Sequence, residues 1–155
     1  MTGTSAETSI RPAVPADAAR IAEIEIFHYR LNFYPIFQND WFYFDELQVP
    51  KLIQAYLAEP DLLERTFVYD DGVVKGFIRL NGQQIEKLFV EPVLQNQHIG
   101  TALLKYAIEH QNARFLWALE KNTRAITFYQ KHGFRPTGEK VPEEGTTEYL
   151  IRMER

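Results

Sequence analysis

Hydrophobic positions along the chain switch between two periods, and the switches divide it into elements. Ile10-Arg11-Pro12-Ala13-Val14 reads as a short strand. From Pro15 to Tyr29, the residues Ala18, Ile21, Ala22, Ile24-Glu25 and His28 recur at helical spacing, with Pro15 and Asp17 suited to a first turn. Lys51 to Ala58 reads as a second short helix, stopped before Pro60. Apolar runs on either side of Asp70-Asp71-Gly72, from Arg65 to Tyr69 and from Val73 to Leu80, predict a β-hairpin. Asn81-Gly82 then turns into a third strand, Gln83 to Val90. A helix follows Gly100 as far as His110, then a strand over Arg114 to Leu119. Thr123 to His132 is a helix with Gly133 as its left-handed cap. Phe134 to Thr137 and Thr146 to Met153 predict two closing strands around a polar loop, 138–145. The order β-α-α-β-β-β-α-β-α-β-β describes one mixed α/β domain over 9–155, without repeat or linker; residues 1–8 read as a flexible leader.

Composition narrows the class. With 155 residues, 45% hydrophobic and 25% charged, the chain suits one soluble globular domain with a sizeable core. No apolar run approaches the roughly 20 residues of a membrane helix, and Met1 to Ser9 lacks the apolar stretch of a secretory signal. The absence of cysteine removes a disulfide framework and a thiol nucleophile, and points to a reducing, cytoplasmic setting. The net charge of −4, from 17 basic and 21 acidic residues, argues against broad binding to nucleic acid or anionic lipid. His28, His98, His110 and His132 lack metal-ligand spacing, so no metal site is expected.

The candidate chemistry begins at Gln97-His98-Ile99-Gly100-Thr101-Ala102, between the strand ending at Val90 and the helix that follows. A helix N-terminus exposes unpaired N–H groups and the positive end of its dipole, which suits a phosphate. Gly100 would let the backbone approach a pyrophosphate with no Cβ in the way. An ordinary strand–loop–helix connection has the same pattern.

A second stretch, Asn122-Thr123-Arg124-Ala125-Ile126-Thr127-Phe128-Tyr129-Gln130-Lys131-His132-Gly133-Phe134, adds specificity. Together with the preceding meander, these residues resemble the GNAT superfamily of acyl-CoA-dependent N-acetyltransferases. The family's Q/R-x-x-G-x-G/A turn matches Gln97, Gly100 and Ala102. Its N-x-x-A-x-x-F-Y-x-x-x-G-F stretch matches Asn122, Ala125, Phe128, Tyr129, Gly133 and Phe134. The resemblance implies a single GNAT-type domain of class α/β (α+β). Its mixed, mostly antiparallel central sheet would have about seven strands flanked by about four helices.

The resemblance also implies roles. Acetyl-CoA is the expected cofactor, its pantetheine arm lying between splayed fourth and fifth strands against Leu88, Phe89 and Val90. Its pyrophosphate would lie on the turn formed by Gln95, Asn96, Gln97, His98, Ile99, Gly100, Thr101 and Ala102. Asn122 would bond near the pantetheine or fix its own loop, and Phe128 would line the cofactor side of the cleft. Arg124 reads as solvated surface within reach of a phosphate. Tyr129 falls on the family's acid position. A departing thiolate has a reference pKa of about 8.5, so a phenol of about 10 can protonate it; a core aromatic is the other reading of Tyr129. Glu86, eleven residues before Gln97, falls where histone-acetylating members carry their general base. It is also readable as a strand carboxylate paired with Lys87 or Arg114. With no thiol nucleophile, direct attack by the amine in a ternary complex is expected. One departure stands out: where the ribosomal-protein branch carries glutamate, this chain has Trp117.

The aromatic segment Phe27 to Phe44 would wall the acceptor site, with Tyr29, Tyr34 and Trp41 as candidate substrate contacts by cation–π or apolar packing. The same rings could instead fill the core or a homodimer contact. His28 on a helix face and Lys87 on its strand read as structural and as solvated surface. The expected partner is a small-molecule or protein amine. The competing reading is a non-catalytic acyl-CoA-binding regulatory module.

Overall fold

The computed structural model describes residues 9–95 and 97–155. The expected leader, 1–8, and Asn96 lie outside the described residues. The strands are β1 (Ile10–Pro12), β2 (Thr66–Asp70), β3 (Val74–Asn81), β4 (Gln84–Val90), β5 (Phe115–Leu119), β6 (Arg135–Pro142) and β7 (Tyr149–Glu154). The α-helices are α1 (Ala18–Asn32), α2 (Tyr34–Phe37), α3 (Val49–Ala58), α4 (Pro60–Glu64), α5 (Ile99–Gln111) and α6 (Thr123–Lys131). Among the described residues one seven-stranded sheet runs β1-β2-β3-β4-β5-β7-β6. Every neighbouring pair is antiparallel except β4 and β5, which run parallel.

The mixed α/β architecture and its seven strands agree with the sequence. Four short pieces are additional among the described residues: α2, α4, a π-helical turn at Trp41–Glu46 and a 3-10 turn at Pro92–Leu94. β6 reaches Pro142 because Lys140, Val141 and Pro142 pair with Ile151, Leu150 and Tyr149 of β7, which shortens the expected polar loop. Gly133 has φ +92°, the left-handed geometry expected at the end of α6.

Alternation along the strands sends successive side chains to two cores. On one face, Ile78, Leu80 and Ile85 pack with Leu103, Leu104 and Ala107 of α5 and with Phe134 and Met153. On the other, Val68, Phe77 and Phe89 pack with Ile21, Ala22 and Ile24 of α1 and Tyr56 of α3. Gly76 lets α5 approach the sheet closely. A Cβ there would stand 3.0 Å from the Phe89 carbonyl oxygen and 3.3 Å from side-chain carbons of Ile99 and Leu103.

Beneath α1 lies a buried polar cluster. Glu25 accepts a short hydrogen bond from the Tyr56 hydroxyl and pairs with Lys87 Nζ at 2.7 Å. Arg79 donates to Tyr56 Oη at 2.7 Å and to Thr66 Oγ1 at 3.0 Å. Each buried charge therefore has a partner, the condition under which such groups are tolerated away from water.

Candidate active site

The sheet comes open along one seam. β4 and β5 pair only at Gln84↔Phe115 and Ile85↔Leu116, whereas β3 follows β4 as far as Val90. Beyond those two rungs a cleft of about 1350 Å³ opens, lined by Leu88, Phe89 and Val90 on β4 and by Trp117, Ala118 and Leu119 on β5. The β3–β4 register slips where Arg79 faces Lys87 and Leu80 faces Ile85, leaving Glu86 as the extra residue of a bulge. Ile85 then shares the α5-side core with Leu88 and Val90. Simple alternation, which would set Glu86 on the face of Leu88 and Val90, therefore does not hold.

α5 points its first turn at this opening. Its N-cap, His98, has φ +64° and provides no side-chain cap. The Ala102 amide donates to the His98 carbonyl at 3.0 Å, so the ladder of α5 starts there and offers the amides of Ile99, Gly100 and Thr101 no acceptor within the helix. The cleft takes in part of the expected cradle. Gln95, His98, Ile99, Gly100 and Thr101 line the cleft, but Gln97 and Ala102 do not. A Cβ on Gly100 would reach 3.6 Å from Val90 and from Phe128. Those are ordinary contacts, so the glycine is not demanded by packing; what it leaves open is the space between β4 and α6.

α6 forms the opposite wall. Asn122 Oδ1 accepts from the Ala125 amide at 3.3 Å, so its side chain caps the helix while the residue lines the cleft. Phe128 stands edge-on to Tyr129, with ring centroids 5.3 Å apart, and Phe134 braces Tyr129 from 5.7 Å. Burial pushes the Tyr129 phenol well above its ordinary value, so it carries its proton throughout the neutral range. Arg124, Lys131 and His132 line the same side. Among the described residues, no group of three or more His, Cys, Asp or Glu could hold a metal ion.

On the α1 side the outcome differs from the expected aromatic contacts. Tyr29 lines the cleft, its ring 5.4 Å from Phe89 and its phenol pushed up by burial and then by Glu25. Tyr34 instead donates to Asp40 Oδ1 at 2.5 Å, and Trp41 is 62% exposed; neither lines the cleft. The residues there are Phe33, Phe37, Phe42 and Tyr43, with Glu143 and Glu144 from the β6–β7 connection. Burial and the Glu143 carboxylate raise the Tyr43 phenol. Crowded aromatics hide helical period, and the bonds that orient this segment are tertiary, such as Arg30 Nε to the Tyr43 carbonyl at 2.9 Å. Lys87 is also corrected: it is half-buried against Glu25 and lies 5.3 Å over the Tyr29 ring. Glu86 lines the cleft and pairs with Arg65 at 3.2 Å, rather than with Lys87 or Arg114.

Residues 63–136, just under half of the chain, match the family described as the acetyltransferase (GNAT) domain. The chain is similar to the peptidyl-lysine N-acetyltransferase YjaB of Salmonella typhimurium, 32% identical over 91 residues, 59% of this chain and 61% of that protein. The chain thus matches about three-fifths of the length of that curated relative, 61%. Its fold is that of apo YjaB from Escherichia coli, with TM-score 0.71, 21% identity and coverage of 94% and 95% of the two chains. YncA of Salmonella typhimurium, solved with its cofactor acetyl-CoA, shares the fold at TM-score 0.67 and 24% identity over 94% and 91% of the chains. Among the described residues no helix is long and apolar enough to cross a membrane.

Proposed function

We propose that this chain is an acetyl-CoA-dependent N-acetyltransferase acting on a primary amine of a protein. The observation that carries this reading is the opened β4–β5 seam, with the first turn of α5 at one end and the protonated Tyr129 along its wall. Acetyl-CoA bound there would supply an acetyl group activated as a thioester.

The chain's own groups divide the work. The Ile99, Gly100 and Thr101 amides and the positive end of α5 suit a pyrophosphate. The β4 backbone from Leu88 to Val90, unpaired on its β5 side, suits the amide groups of a pantetheine arm, and one of its N–H groups could polarise the acyl carbonyl. A lysine amine, with a solution pKa of about 10.4, arrives protonated. Glu86 would take that proton, directly or through water, releasing its hold on Arg65 as the ammonium approaches. Tyr129 would give its phenolic proton to the departing sulfur. With no cysteine in the chain, the amine attacks directly in a ternary complex.

A protein amine is favoured over a free metabolite for two reasons. The relatives are named for peptidyl-lysine, and the acceptor side of the cleft combines aromatic rings with Glu143 and Glu144, which suits a cationic side chain. The test is thiol release with acetyl-CoA across lysine peptides, peptides blocked at lysine, and small amines. Release that needs a free lysine, with acetylation of that lysine seen by mass spectrometry, is the expected result. Cofactor binding with no amine acetylated would overturn the enzyme in favour of a binding module.

A further inference from the structure

The reading above leaves His28 unused. Its ring lines the cleft from α1, stacked on Phe89 with centroids 4.1 Å apart and an interplanar angle of 19°. The edge of Phe33 closes on it from 5.8 Å. Inside this aromatic mounting Nδ1 is buried and has no hydrogen-bond partner among the described residues. A phenylalanine would stack equally well without a stranded nitrogen, so packing alone does not account for an imidazole here. Burying an unpaired N–H costs more than burying an unpaired lone pair, which assigns the proton to Nε2.

We propose that His28 is a neutral hydrogen-bond donor within the cleft, its Nε2–H donating to the carbonyl oxygen of the acetyl group. This rests on the acetyl-CoA reading of the cleft. Its stacking partner, Phe89, belongs to the stretch of β4 left unpaired toward β5, so the imidazole lies against the strand whose backbone is open to a ligand. A neutral imidazole keeps one N–H, and that N–H can donate to an oxygen that gains negative charge during transfer. Burial, followed by Arg124 on α6, lowers the His28 pKa to about 4. Glu25, one turn earlier on α1, opposes that shift, but its carboxylate is already engaged by Tyr56 and by Lys87 of β4. The ring is therefore neutral at working pH: a poor proton acceptor, but a competent donor to a polarised oxygen.

Nitrogen-15 spectra of the histidine-labelled full chain test this directly. His28 should show the Nε2–H tautomer at neutral pH. Acetyl-CoA should shift that resonance well beyond the shift caused by CoA, which lacks the carbonyl. His28→Phe should keep its affinity for CoA, lose the preference for acetyl-CoA over CoA, and lower kcat on the order of 100-fold with little change in the acceptor KM. His28→Gln, which retains an amide donor, should recover part of that loss. Equal shifts with CoA and acetyl-CoA, the Nδ1–H tautomer, or an unchanged kcat in His28→Phe would overturn the donor role while leaving the cofactor reading intact. A rise in acceptor KM alone would overturn it too, by moving the contact to the amine. If neither CoA nor acetyl-CoA bound, the cofactor reading and this inference would fall together.

Discussion

The two edges of β4 have opposite fates. Toward β3 it is paired from Gln84 to Val90, broken only by the Glu86 bulge; toward β5 it is paired at two rungs and then released. The closed edge has Gly76, where even a methyl group would meet a backbone oxygen at 3.0 Å. The open edge has Gly100, where a methyl group would find ordinary contacts at 3.6 Å. One glycine is required so that protein can pack against protein, while the other keeps space that the protein does not fill. A cleft is thus made here by withholding strand pairing, on a strand whose other edge keeps it in place.

The largest expected effect tests whether the open edge does chemistry. Tyr129→Phe keeps the ring between Phe128 and Phe134 but removes the proton. It should lower kcat roughly 100-fold or more, with acetyl-CoA affinity unchanged. Because the buried phenol titrates above the ordinary value of 10.0, the parent enzyme should show no alkaline limb from this group below pH 10. An unchanged kcat would leave Tyr129 as a wall residue.

The glycine contrast comes next. Gly76→Ala forces a Cβ against the Phe89 carbonyl, and such overpacking costs about 1–3 kcal/mol. Its Tm should therefore fall by several degrees. Gly100→Ala adds a methyl group the fold can accept in a helical first turn, so its Tm should hold or rise slightly. Its affinity for CoA should nevertheless fall roughly tenfold, the effect of about 1.4 kcal/mol. Calorimetry on both variants, with a CoA titration, separates the two. Equal loss of stability in both would erase the distinction between the edges.

The same contrast explains what could be read in advance. Paired, periodic elements were legible: the β2–β3–β4 meander, α5, α6 and the Gly133 cap each have local signals of period or turn chemistry. The two motifs also placed Gly100, Asn122, Phe128 and Tyr129 around one space, and all four line the cleft. What alternation could not reveal was the bulge at Glu86, since an extra residue has no signature of its own in an apolar run. Nor could local pattern show that Lys87 reaches Glu25, 62 residues away in sequence, instead of solvent. From Trp41 to Phe44 every position is aromatic, so period cannot tell the buried Tyr43 from the exposed Trp41. Orientation there is settled by tertiary bonds such as that from Arg30.

Glu86 sits at the junction of the two edges, just where β4 parts from β5, and the smallest predicted effect tests which edge it serves. If its carboxylate matters only for the ion pair with Arg65, Glu86→Gln should cost little. The side chain is 27% exposed, and Arg65 keeps Asp61 Oδ2 at 2.9 Å and the Leu80 carbonyl at 2.6 Å. A pair of this kind contributes about 0–1 kcal/mol. If it instead takes the acceptor's proton, stability should stay the same while kcat/KM falls, on the order of tenfold. The deficit should widen as pH drops, because an ever smaller share of the amine then arrives already neutral. Parallel pH profiles for variant and parent would remove Glu86 as the base. A loss of Tm with no change in rate would assign it to the closed edge, as a brace for the bulge.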